Sequence, residues 1–132
     1  MAATGKKVLI ADDEADTRAF VKAVLEDEGY ELLTASTGYA ALDLARKQRP
    51  DLIILDVHMP GKTGFEVFSE LRKDAATKTI PIIMLTGIRE RTGISYTAAD
   101  MAEQFHSRPE AFLDKPVDPL VLRDTVVKLL GR

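Results

Sequence analysis

The sequence predicts an α/β domain built on a doubly wound, five-stranded parallel sheet with helices on both faces. Short apolar runs alternate along the chain with longer segments in which apolar residues recur at helical spacing. This alternation is typical of parallel sheets, because each crossover between parallel strands requires a connection of helix length. The chain has 132 residues, enough for one domain with a real core. We therefore expect a single domain over residues 1–132 with an ordered core from about 7 to 130.

Five short apolar runs are predicted to form the strands. They are rich in Ile, Leu and Val, as is usual for strands buried on both faces of a parallel sheet. The predicted strands cover residues 7–11, 31–35, 52–55, 80–85 and 111–113.

The helices are predicted between these runs. Gly29 ends the first helix and Pro50 stops the second, since glycine favours the helix end and proline cannot continue a helix. Pro119 lies in the first turn of the last helix, where its missing N–H costs nothing. The predicted helices cover residues 15–27, 37–49, 64–73, 98–106 and 118–130.

The composition narrows the function. The formal charge is −3 and there are no cysteines, so no disulfide framework, thiolate zinc site or cysteine catalysis is expected. The weakly negative charge gives no reason to expect nucleic acid as a partner. The sequence has no apolar stretch long enough to span a membrane. We expect a cytoplasmic protein.

Asp56 is the most informative residue. It ends the apolar run of the third strand and precedes a Pro-Gly turn, so we expect its carboxylate at the carboxyl edge of the sheet, where open α/β sheets bind ligands. Asp12 and Asp13 end the first run in the same way. If the two strands are neighbours, three carboxylates converge, and they repel one another unless a cation joins them.

Four motifs together resemble the receiver domain of two-component response regulators. They are Asp12-Asp13, Asp56, Thr86-Gly87 and Lys115-Pro116, each at the end of a predicted strand. The resemblance covers roughly residues 7–130. It implies the flavodoxin-like strand order 2-1-3-4-5.

The resemblance implies that Asp56 is a phosphoacceptor that attacks a phosphohistidine of a partner kinase. It implies Mg²⁺, or Mn²⁺, bound by the carboxylates of Asp12, Asp13 and Asp56 and by the backbone carbonyl of His58. The alternatives are a turn or helix cap for Asp56 and N-capping of the first helix for Asp12 and Asp13. Glu14 is interpreted as a surface residue.

Three further residues receive roles from the resemblance. Lys115, before a cis Pro116, reaches the phosphoryl group; the alternative is a solvated loop lysine. The hydroxyl of Thr86 donates a hydrogen bond to a phosphoryl oxygen, and Thr86 acts as a switch; the alternative is a cap on the next turn. Phe112 changes rotamer when Thr86 moves; the alternative is an ordinary half-buried strand residue. Gly87 leaves room for the incoming phosphodonor.

The chain departs from the family pattern between Thr86 and Lys115, where the segment is longer than receivers usually allow. The usual Gly-Ala pair before the fifth strand is replaced by Arg108-Pro109-Glu110-Ala111. The polar stretch 89–96 is hypothesised to be a mobile loop near the pocket. His106 is interpreted as a surface residue at a helix end.

The leading hypothesis for function is a phosphorylation-dependent switch rather than an enzyme. The expected partners are a sensor histidine kinase or phosphotransfer protein and a downstream partner or output domain outside this chain, with homodimer formation left open. One alternative is an Mg²⁺-dependent phosphohydrolase with an aspartyl-phosphate intermediate, although His58 stands where such enzymes commonly have an acidic residue. Another is a flavin or nucleotide module, although no glycine-rich phosphate loop follows the first strand.

Overall fold

The computed structural model describes residues 5–87 and 109–131. Its centre is a five-stranded parallel sheet in the order β2-β1-β3-β4-β5, which confirms the predicted fold class and strand order. The strands are β1 (Lys7–Ala11), β2 (Glu31–Ala35), β3 (Leu52–Asp56), β4 (Ile82–Thr86) and β5 (Ala111–Asp114).

The ends of the third and fourth strands differ from the sequence prediction in a way that matters for function. The third strand continues to Asp56 and the fourth to Thr86, so both polar residues are the last of their strands. The fourth strand begins at Ile82 rather than at residue 80. The reason is Pro81, which has no N–H to donate to a neighbouring strand.

The helices described are α1 (Ala15–Leu25), a 3₁₀ turn (Glu26–Glu28), α2 (Gly38–Gln48), α3 (Gly64–Lys73) and α4 (Pro119–Leu130). Side chains satisfy the free N–H groups at three of their starts. Thr37 accepts from the amide of Ala40, and Asp118 accepts from two amides of the first turn of α4. Thr63 and Glu66 form a reciprocal capping box at the start of α3, which is the usual solution for orphan N–H groups.

The core has two layers, one on each face of the sheet. Alternate residues of the central strands point to opposite faces, so Leu9 packs in the layer with α2 and α3 while Val8 and Ile10 pack in the layer with α1 and α4. All three are fully buried, and each such side chain contributes about 1.5–3 kcal/mol through burial. The core therefore holds the carboxyl ends of β1, β3 and β4 in a fixed relation.

Glu110 ties the start of β5 to the rest of the fold. One of its carboxylate oxygens accepts from the amide of Ile82 at 2.7 Å and from the guanidinium of Arg72 at 2.8 Å. Arg72 also donates to the carbonyl of Ile80 and lies over the ring of Phe68. The acidic residue that departs from the family pattern thus joins β4, β5 and α3 at the edge of the sheet opposite Asp56.

Several predictions lie outside the described residues: the helix at 98–106, the mobile loop at 89–96 and the position of His106. Among residues 5–87 and 109–131, no helix has the length and apolar character needed to cross a membrane.

Candidate functional site

The three predicted carboxylates come together at the carboxyl edge of the sheet. β1 pairs with β3 so that Ala11 lies opposite Leu55, and the residues that follow, Asp12 and Asp56, are therefore neighbours. Oxygen atoms of Asp12, Asp13 and Asp56 all lie within 4.8 Å of one another. Asp12 and Asp56 are buried, with 0% and 2% of their surface exposed, whereas Asp13 is exposed. The cluster is thus open to solvent on one side only.

Local hydrogen bonds hold Asp12 in place. Its Oδ1 accepts from the amide of Glu14 at 2.9 Å, and its backbone carbonyl accepts from the guanidinium of Arg18 at 2.8 Å. The N-cap residue of α1 is Glu14, so neither Asp12 nor Asp13 occupies the capping position considered as their alternative role. Oδ2 of Asp12 is buried and receives no hydrogen bond from the described residues.

Lys115 reaches into the cluster from the loop after β5. Its Nζ lies 2.8 Å from Oδ2 of Asp12 and 3.1 Å from Oδ1 of Asp56. The contact with Asp12 is an ion pair without the geometry of a hydrogen bond. The bond between Lys115 and Pro116 is cis, as the resemblance implied. The solvated-loop alternative for this lysine is wrong, since only 18% of its side chain is exposed.

Sequence reasoning missed a third contact of the same ammonium. Oε1 of Glu14 lies 3.4 Å from Nζ of Lys115, so Glu14 is more than the surface residue that its position suggested. Its side chain is 58% exposed and stands at the mouth of the cluster. The signal available in the sequence was only its place directly after Asp12 and Asp13.

Burial and charge strongly perturb Asp56. Burial, followed by repulsion from Asp12, raises the pKa of its carboxyl from 3.8 to about 6, although Lys115 opposes the rise. Burial also opposes charge on Lys115, but its contacts with Asp12 and Asp56 outweigh this effect and raise the pKa of the ammonium above its ordinary value. The lysine stays charged at neutral pH, while the carboxylate of Asp56 is held in an unfavourable environment.

The other predicted residues surround this cluster. Thr86 is the buried last residue of β4, and its carbonyl accepts from the amide of Lys115 at 2.9 Å. Gly87 follows, and a Cβ added there would lie 4.0 Å from the stem of Lys115. Phe112 is half-buried and packs against the core layer of α2 and α3. His58 is half-buried in the loop after β3.

Gly64 fixes the loop that contains His58. Its amide donates to the carbonyl of Val57 at 2.8 Å, which closes the loop onto the end of β3. A Cβ added to Gly64 would lie 2.1 Å from the carbonyl oxygen of Asp56 and 2.8 Å from Cα of Val57. Only glycine allows this approach, so α3 begins directly against the backbone of the strand that carries Asp56.

The donor set fits a hard divalent cation. Carboxylate oxygens are the ligands that Mg²⁺ prefers, and it usually binds one or two of them while keeping several waters. The buried Oδ2 of Asp12 accepts no hydrogen bond, and the single positive charge of Lys115 at 2.8 Å is shared with Asp56. Three carboxylates around one ammonium leave an excess of negative charge, which favours a further cation. Asp13, exposed at the open side, leaves room for solvent ligands.

A cleft of about 510 Å³ adjoins the cluster. It runs from Gly87 and Lys115 to the apolar side chains of Phe20 and Val117, with Glu14 at its rim. The ammonium of Lys115 is therefore reachable from both the acidic cluster and the cleft.

Comparison with known proteins decides the family. The sequence profile of the response regulator receiver domain matches residues 8–127. The chain belongs to this family. It is a receiver domain of two-component response regulators, and the phosphohydrolase alternative is not favoured.

Individual relatives agree. The chain is 33% identical over 125 residues to protein PilH of Pseudomonas aeruginosa, covering 95% of this chain and 98% of PilH. It is 37% identical over 131 residues to the protein ycf27 of Porphyra purpurea, covering 96% of this chain but 48% of ycf27; the chain spans about half the length of that relative. The solved structure of the chemotaxis response regulator CheY4 of Vibrio cholerae superposes with a TM-score of 0.78 at 36% identity, covering 96% of this chain and 99% of CheY4.

Proposed function

We propose that this receiver domain accepts a phosphoryl group on Asp56 from a phosphohistidine of a sensor histidine kinase or phosphotransfer protein. The observation that carries the proposal is the position of the Asp56 carboxylate. Asp56 ends a central strand, its carboxylate lies within 4.8 Å of two further carboxylates, and the ammonium of Lys115 is 3.1 Å away. In the transfer, a carboxylate oxygen of Asp56 forms a bond to phosphorus while the P–N bond to the histidine breaks, and the released imidazole takes up a proton.

The residues for a divalent cation are the carboxylates of Asp12, Asp13 and Asp56 and the backbone carbonyl of His58. Mg²⁺, or Mn²⁺, bound there would neutralise the negative charge of the carboxylates and of the phosphoryl oxygens. Asp12 is already held in position by the amide of Glu14. Asp13, exposed at the open side of the cluster, is the proposed first contact for an ion that enters from solvent.

Lys115 and Thr86 are proposed to bind the phosphoryl group once it is on Asp56. An ammonium is a point charge without a fixed planar geometry, which suits a phosphate that arrives and leaves. The amide of Lys115 donates a hydrogen bond to the carbonyl of Thr86. A movement of Thr86 at the end of β4 would therefore reach Lys115 in the loop after β5. Phe112, a half-buried residue of β5 opposite Met84 of β4, is the proposed readout of that movement.

A downstream protein, or an output domain outside this chain, would read the change. A cytoplasmic location, the absence of direct nucleic-acid or membrane contacts, the single-domain organisation of residues 1–132 and the state of oligomerisation stay predictions.

The proposal is tested by incubating the chain with acetyl phosphate and Mg²⁺ and measuring intact mass. We expect the mass to increase by one phosphoryl group. The increase should be absent when the metal is chelated before the reaction, and absent in Asp56→Asn. Asp43→Asn on the exposed face of α2 is the matched control and should react like the wild type. Repeated turnover of many phosphomonoesters would instead favour the phosphohydrolase.

A further inference from the structure

We infer that Glu14 is a positioning residue that holds the ammonium of Lys115 when a divalent cation occupies the acidic cluster. The inference rests on the proposed function and extends it to a residue whose carboxylate is outside the cluster of Asp12, Asp13 and Asp56. It starts from one observation: a single ammonium faces three carboxylates, at 2.8 Å, 3.1 Å and 3.4 Å.

The three partners of Lys115 differ in kind. Asp12 and Asp56, the inner carboxylates, are buried and belong to the group whose oxygens lie within 4.8 Å of one another. Glu14, the outer carboxylate, is 58% exposed and is not part of that group. An ammonium has three donors and accepts no hydrogen bond, so it serves as the counter-charge of the inner carboxylates while no metal is bound.

A divalent cation changes this arrangement. The cation binds the same inner carboxylates that Lys115 contacts, so the attraction between them and the ammonium is offset by repulsion from the metal. Lys115 is then better placed against an acidic group that the cation does not bind. Among the carboxylates of the described residues that contact its Nζ, Glu14 alone meets this condition.

Glu14 is well suited to this task by its backbone. It is the N-cap residue of α1 and its side chain makes no capping hydrogen bond, so the carboxylate is available to Lys115. Its amide is fixed by Oδ1 of Asp12, which keeps the outer carboxylate next to the inner ones. The stem of Lys115 lies along Gly87, so an ammonium held by Glu14 stays at the mouth of the cluster, within reach of a phosphoryl group on Asp56.

The experiment is a double-mutant cycle read by calorimetric titration with Mg²⁺ alone. Glu14→Gln is compared in the wild-type chain and in Lys115→Met. In the wild-type chain we expect about two- to five-fold weaker Mg²⁺ binding, the scale of a partly exposed ion pair. In Lys115→Met the same substitution should lower Mg²⁺ affinity no more than the control Asp16→Asn does. Asp16 also lines the cleft, and no contact between it and Lys115 is described.

Two results would overturn the inference. An equal loss of affinity in both backgrounds would mean that Glu14 acts through its long-range charge or as a direct ligand. An unchanged affinity in the wild-type chain would mean that the contact at 3.4 Å has no role in metal binding. Failure of the proposed function is distinguished from either, because the unmodified protein would then gain no phosphoryl group from acetyl phosphate, whatever its affinity for Mg²⁺.

Discussion

Asp56→Asn should stabilise the metal-free protein at neutral and alkaline pH, although on the proposed function it should abolish phosphorylation. The carboxylate of Asp56 is buried beside that of Asp12, and this environment raises its pKa from 3.8 to about 6 even with Lys115 at 3.1 Å. The folded protein therefore resists ionisation of Asp56 more than the unfolded chain does. Asparagine keeps an acceptor for Lys115 and removes the charge.

The sign and the size follow from linkage. A group with a raised pKa in the folded state contributes stability below its unfolded pKa, and that contribution is lost as the pH rises through the folded value. For a rise from 3.8 to about 6 the loss is about 3 kcal/mol at most. Solvent at the open side of the cluster screens the charges, so above the pH window from 3.8 to about 6 we expect asparagine to stabilise the chain by about 1–3 kcal/mol.

The assay is urea unfolding followed by circular dichroism, with a chelator present, at about pH 4 and about pH 8, on either side of the window. The advantage of Asp56→Asn over the wild type should be small at the lower pH and reach its full size at the higher one. Added Mg²⁺ should reverse the order, because it binds and stabilises the wild-type fold more strongly. Asp43→Asn, on an exposed helix face, should show neither effect.

A wild-type chain that is as stable as Asp56→Asn at the higher pH without metal would refute this reasoning. A stabilisation that does not change between the two pH values would also refute it, since it would then have a cause other than ionisation of residue 56.

Three other perturbations test particular contacts. Gly64→Ala should destabilise the fold by about 1–3 kcal/mol or more through overpacking against the carbonyl of Asp56 and should weaken Mg²⁺ binding, measured by urea unfolding and calorimetry. Gly87→Ala is its control and should unfold like the wild type, because among residues 5–87 and 109–131 the added methyl group meets only the stem of Lys115, at 4.0 Å. Glu110→Ala should cost about 1–3 kcal/mol because it removes the acceptor of a strand amide and of a guanidinium; Glu110→Gln, which keeps an acceptor oxygen, should cost less in the same urea titration. Thr63→Ala should cost about 1 kcal/mol by thermal unfolding through loss of the α3 capping box, and an unchanged midpoint would contradict the role of the cap.

The sequence alone predicted the class of the fold and most of the element positions, because both depend on local and periodic signals. Strands buried on both faces require continuous apolar runs, and helices packed on a sheet require apolar residues at helical spacing. Residues with strong local preferences set the ends: Gly29 adopts φ 83 at the end of the first helical segment, and Asp118 caps α4. The convergence of Asp12 and Asp56 was foreseeable for the same reason, since parallel strands end at one edge.

Only the tertiary structure decided how charged groups from distant parts of the chain meet. No pattern in the sequence predicts that Glu14 and Lys115 are 3.4 Å apart or that Glu110 bonds Arg72. The close approach of Gly64 to the backbone of Asp56 is also a matter of packing between a strand and a helix start. Apolar periodicity records which face of an element is buried, whereas the distance between two side chains depends on strand register and loop path, which arise only when the elements pack together.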